Sequence, residues 1–103
     1  MKTIQLNAVE KGALKSALYN PAAKNAIEQL RKIGRVDDFI EAAVPAAPEG
    51  TLIKDLPTHE LKLEDADFDF LRSKFLEFDG WNPQAHAIIT ALDKKLADAN
   101  ASK

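Results

Sequence analysis

The chain has 103 residues, 46% of them hydrophobic and 29% charged, with a formal net charge of −2. That size and balance suit one self-contained core and exclude a disordered segment or a pair of domains. Cysteine is absent, which excludes a disulfide framework, a thiolate metal site and a cysteine nucleophile.

Residues 3–6, Thr-Ile-Gln-Leu, alternate in polarity and predict a short strand with Ile4 and Leu6 on one face. Asn7 then stands where a helix cap is wanted, with Glu10 in the first turn, and a helix is expected over 8–18 with Val9, Ala13, Leu14, Ala17 and Leu18 along one side. Pro21 suits the first position of a second helix, whose apolar stripe would be Ala23, Ala26, Ile27, Leu30 and Ile33 and whose end would be Gly34. A short further helix over 37–43 leads into the connector composition of residues 45–50. Residues 51–56 and 59–63 read as a hairpin with a tight turn near 56–58, the second arm carrying Leu61 and Leu63 on one face. Asp65 is the expected cap of a helix over 66–78, with Phe68, Leu71, Phe75 and Phe78 at helical spacing. Asn82-Pro83 opens the last helix, striped by Ala85, Ile88, Ile89, Leu92 and Leu96, and the small, polar tail 97–103 is expected to fray.

Two stretches of the chain match each other. Residues 4–18 align with 61–75 at a constant offset of 57, and the pattern N-P-x-A-x-x-x-I-x-x-L recurs from Asn20 and Asn82 at an offset of 62. The expectation is a mostly helical α+β fold made of two strand-helix-helix units with a small antiparallel sheet of two or three strands. One domain would span 1–103: a first unit over about 3–33, a connector and hairpin over about 34–63, and a second unit over about 60–96. True duplication requires adjacent strands about a two-fold axis, with Ile27 and Ile89, Leu30 and Leu92, and Leu14 and Leu71 buried in pairs. Convergent use of the same helix-start signal is the alternative.

Charge is strongly segregated. Residues 1–36 carry +5, residues 37–70 carry −8 and the remainder +1. Lys11, Lys15, Lys24, Arg31, Lys32 and Arg35 could therefore form a basic helical face that tracks phosphates, that pairs with the acidic middle of a second copy to make a homodimer, or that is simply solvated. Trp81, on a Gly/Pro-bounded turn, either packs onto its own helices or serves as an exposed binding anchor.

Catalytic patterns are missing. His59 and His86 have no nucleophile-elbow context, and the run Asp65-Ala66-Asp67-Phe68-Asp69 has Phe70 and Leu76 where a calcium loop requires glycine and a bidentate acid. The four glycines are isolated, which leaves no phosphate loop. No catalytic residue, metal or cofactor is expected. Nor is membrane association, since no apolar run reaches spanning length and the first residues lack a secretory core; cytoplasm is the expected location. The expected function is a non-catalytic protein-interaction module using the charged face or Trp81, with nucleic-acid binding as the alternative.

The overall layout, closing in a helical pair with Leu92-Asp93-Lys94-Lys95, resembles small uncharacterised proteins of bacteriophages and prophages. That resemblance implies an accessory or regulatory protein acting by contact in the cytoplasm of a bacterial host, and it assigns no functional residue.

Overall fold

The computed structural model describes residues 1–20, 24–46, 50–52 and 55–101. Among them β1 (Lys2–Leu6) is followed by α1 (Ala8–Leu18), α2 (Ile27–Ala43), β2 (His59–Leu63), α3 (Asp65–Glu77) and α4 (His86–Ala101), the last entered through a 3₁₀ turn at Pro83–Ala85. This is the mostly helical α+β class that the periodicities predict.

β1 and β2 pair antiparallel, with Ile4 opposite Leu61 at the centre and Lys2 opposite Leu63 and Leu6 opposite His59 at the ends. Alternation turns Ile4, Leu6, Leu61 and Leu63 into the core, while Thr3, Gln5, Glu60 and Lys62 face outward. The register maps onto itself when each residue of β1 is exchanged for the one 57 positions later. The same offset carries the buried set of α1, Glu10, Leu14, Ala17 and Leu18, onto Asp67, Leu71, Lys74 and Phe75 of α3.

A two-stranded sheet needs cover, and α4 lies against β1 while α2 lies against β2; α1 and α3 pack on each other. Each half thus lends its second helix to the strand of the other half. Two buried acids mark the crossings. Glu10, whose side chain closes a capping box with Asn7, accepts from Lys95 of α4 at 2.8 Å. Asp67 accepts from Arg35 of α2 at 3.0 Å. Lys95 also donates to the Gln5 carbonyl, so its ammonium ties helix to strand as well as to acid.

Several expectations give way. The second helix begins at Ile27, runs unbroken through Gly34 and absorbs the expected separate helix at 37–43. Its buried line is Ile33, Val36 and Ile40, continued by Val44 beyond its end, whereas Ile27 is 69% and Leu30 54% exposed. The stripe drawn through Ile27 and Leu30 is therefore wrong, and so is the offset of 62 for the second helices. Arg35-Val36 and Lys95-Leu96 occupy matching roles at an offset of 60. Leu14, Leu71 and Leu92 are buried as expected and Ile89 is partly buried against the core. Pro21 and Ala23 lie outside the described residues.

The hairpin is also absent among the described residues. Asp55 donates to the Leu52 carbonyl in a turn, and β2 takes β1 as its partner instead. Non-local pairing wins because it buries Leu61 and Leu63 against Ile4 and Leu6. Residues 53 and 54 of that arm lie outside the described set. The cap of α3 is Glu64, one residue before Asp65, and it makes no side-chain bond; Asp65 instead meets the amino terminus at 3.1 Å. Far from fraying at 97, α4 continues to Ala101, with Ala99 buried and the Asn100 carbonyl accepting from Lys2.

Two expected outcomes follow from the run of α2. Gly34 is helical and a methyl group there meets nothing within 4 Å, so Gly34→Ala should stabilise the fold by about 0.5–1 kcal/mol in urea titration. A left-handed helix stop at this position would make the same change destabilising. In the second comparison, Leu92→Ala should cost about 2–5 kcal/mol and Leu30→Ala no more than about 0.5 kcal/mol beyond propensity. Equal costs would restore the abandoned stripe.

Candidate functional site

The basic residues of the first third do not form one surface. α1 and α2 lie side by side, and the acids that open the negative middle of the chain face the lysines of α1. Lys11 donates to Glu41 at 3.1 Å and to the Val44 carbonyl at 2.8 Å. Lys15 bridges Glu41 and Asp37, the latter at 3.3 Å. Arg35 holds Asp67 and lays its guanidinium 5.6 Å from the centre of the Phe39 ring. The opposite charges expected to meet between two copies meet here within one.

The cluster sets its own titrations. Hydrogen bonds from Lys15 and then Lys11 hold the Glu41 carboxyl below 4.5, and the bond to Glu41 holds the Lys15 ammonium above 10.5 against the opposing effect of burial. At the end of α1 the neighbouring Asp37 carboxylate, together with desolvation, raises the Tyr19 phenol above 10.0.

Of the six residues of the expected basic face, Lys24, Arg31 and Lys32 lie outside these ion pairs. Arg31 is exposed on α2. Lys32 sits 5.8 Å from the centre of the Phe70 ring, and Lys24 lines a cleft of about 260 Å³ with Gln29, Phe70, Ser73, Lys74 and Glu77. Lys74 is 6% exposed; its ammonium donates to Asn25 Oδ1 at 2.7 Å and lies 5.7 Å from the Phe70 ring centre. Lys74 makes no ion pair among the described residues. The sequence offered one signal for it: the offset of 57 places Lys74 against Ala17, a core position.

Trp81 packs on the end of α3, 5.4 Å from Phe75 and 4.4 Å from Phe78 between ring centres, and is half-buried. Gly80 lets the turn close, since a Cβ there would stand 3.0 Å from the Phe78 ring. This is the self-packed alternative of the two considered for Trp81. Larger apolar side chains do face solvent elsewhere: Leu52, Phe39 and Leu76 singly, and Ile27 and Leu30 one turn apart on the first two turns of α2.

Two shallower depressions flank α4, one lined by Asn7, Val9, Ala87, Ile88 and Ala91 and the other by Thr3, Gln5, Lys95 and Asp98. His59 lies in β2 opposite Leu6, and His86 is exposed at the start of α4. Among the described residues no three of His, Asp and Glu converge as a metal site would require, and no helix is long and apolar enough to cross a membrane. No protein-family model, curated protein or solved structure matches the chain.

Tyr19 is the single tyrosine, so its ionisation can be followed by ultraviolet absorbance without interference from a second phenol. Its midpoint should lie above 10.0 and fall back towards that value in Asp37→Asn. A folded-state value above the unfolded one stabilises the protein at pH below the unfolded value, and that contribution is lost as pH rises through the folded one. A midpoint unmoved by Asp37→Asn would show that Asp37 is not what raises the phenol.

Proposed function

We propose that the protein is a non-catalytic interaction module, an accessory or regulatory component that docks a protein partner on the first two turns of α2. The observation that carries this reading is the exposure of Ile27 and Leu30, 69% and 54%, one turn apart at the start of a helix that further along supplies Ile33, Val36 and Ile40 to the core. Adjacent apolar side chains left in water at helical spacing gain free energy when covered, at roughly 25 cal/mol per Å² of apolar surface removed from solvent. Arg31, next to Leu30 in sequence and also exposed, adds a cation of the kind enriched in interfaces.

The basic helices give nucleic-acid binding less support, because Lys11, Lys15 and Arg35 are held by carboxylates of the same chain. Withdrawing a phosphate-binding lysine from such a cluster means breaking an existing pair first.

A paired comparison tests the docking face. Ile27→Asp with Leu30→Asp should leave the fold intact, since both side chains are exposed and acids are tolerated in the first turns of a helix. The wild-type protein, immobilised and exposed to a bacterial lysate at low and high salt, should retain a defined protein that the folded double variant does not. Retention of nothing above background by the wild type, or of the same protein by both, overturns the reading.

A further inference from the structure

The cleft between the segment leading into α2 and the outer side of α3 combines features that the docking face does not use. Lys74 is a lysine in a core position of α3: its symmetry-related position in α1 is Ala17, and it is 6% exposed. Burying an ammonium costs several kcal/mol unless opposite charge compensates it. Here the compensation is incomplete. Among the described residues the ammonium has one hydrogen-bond acceptor, Asn25 Oδ1, and the face of Phe70, and it has no carboxylate within ion-pair distance. Two of its three N–H donors are left without a partner among those residues.

The surroundings add positive charge. Lys32 stands against the same Phe70 ring, placing a second ammonium 5.8 Å from the ring centre, and Lys24 lines the cleft with Lys74. Of the remaining lining groups, Ser73 offers a hydroxyl and Gln29 an amide, whose Oε1 already accepts from Ala26 and whose NH₂ can donate. Glu77 is the lone carboxylate of the lining and is exposed. Lys24 and Lys74 line one cleft, and an anion entering there offsets their like charge while giving the buried ammonium its missing acceptor.

We propose that this cleft is a binding site for a small oxyanion, a phosphoryl or carboxylate group, received by Lys74 with Lys24 and shielded by Phe70. A space of about 260 Å³ is smaller than the cavities that enclose drug-sized molecules, and it suits one anionic group rather than a large cofactor. Lysine, a point charge with rotatable donors, accepts either anion without the planar geometry that arginine demands. The site goes beyond the docking reading and does not depend on it, since Ile27 and Leu30 are not among its lining residues.

The test is a nuclear magnetic resonance titration of the intact chain with inorganic phosphate and, separately, acetate, against chloride at matched ionic strength. The Lys74 side-chain signal and the Asn25 and Phe70 backbone signals should move saturably, with a dissociation constant on the order of 1 mM for so small a ligand. Saturation by phosphate alone assigns the site to phosphoryl groups, and saturation by acetate as well assigns it to carboxylates too. Lys74→Met should abolish the response while Lys94→Met, at an exposed position of α4, leaves it unchanged. Should Lys74→Met fail to give a folded spectrum, Lys24→Gln replaces it and should weaken phosphate binding several-fold. The proposal is overturned if neither anion saturates beyond the chloride control, or if the response survives unaltered in a folded Lys74 variant or in Lys24→Gln.

Discussion

A two-stranded sheet cannot hold itself together in water, and every other element of this fold answers to that fact. The strands contribute Ile4, Leu6, Leu61 and Leu63 to the core, and those four side chains are buried only because helices close over them. The cover is reciprocal: α4 lies on β1 and α2 on β2, so neither half of the chain can finish its core without the other. Glu10 and Asp67 fix this exchange at corresponding points, each a buried acid in the first turn of one helix held by a cation from another. An acid in that position is favoured by the helix dipole even before its cation arrives, which lowers the desolvation that the pair must offset. The strands, α1 with α3 and the two ion pairs correspond between the halves, but of the buried pairs that duplication requires only Leu14 with Leu71 is met, since Ile27 and Leu30 are exposed.

Charge segregation along the sequence has a plain structural use. Basic residues of the first third and acids of the middle are brought together where α1 meets α2, through Lys11, Lys15, Asp37 and Glu41. Exposed pairs of this kind contribute little individually, but here they share partners and add a backbone carbonyl to the network. Part of the charge that distinguishes the sequence thus holds two helices in register. What is left for partners is smaller and more specific, an apolar pair on α2 and a lysine-lined cleft beside α3.

How much of this was legible in the sequence depended on whether the deciding contact was local. The strands, α1 with its Asn7 and Glu10 cap, and the Phe68, Leu71 and Phe75 face of α3 all rest on periodicity and capping, and the sequence displays both. The start of α2 was misread because Asn-Pro is a strong local signal, and Gly34 was misread as a stop because an interior glycine costs only about 1 kcal/mol. Burial of Ile33, Val36 and Ile40 on one line outweighs that cost. The hairpin failed for the same reason, since a strand chooses the partner that buries its leucines and not the nearest one. For Lys74 the sequence offered only its alignment with the core position Ala17, because its meaning lies in a missing carboxylate, and absence of a partner cannot be seen before the neighbours are known.

The pairing of β1 with β2 also has a consequence in time. Gln5 and Glu60 are neighbours across the sheet yet lie 55 residues apart, so during synthesis the first strand emerges with nothing to pair with. At about 5–20 residues per second that interval is about 3 to 11 s, long compared with helix formation and with hydrophobic collapse. Throughout it the N-terminal segment must keep an unpaired strand edge away from other chains, a period in which α1, α2 and their shared ion pairs can already form because all of their residues have been made. Completion of the fold is thus assigned to the translation of a single five-residue segment, His59–Leu63, and to the two helices that follow it.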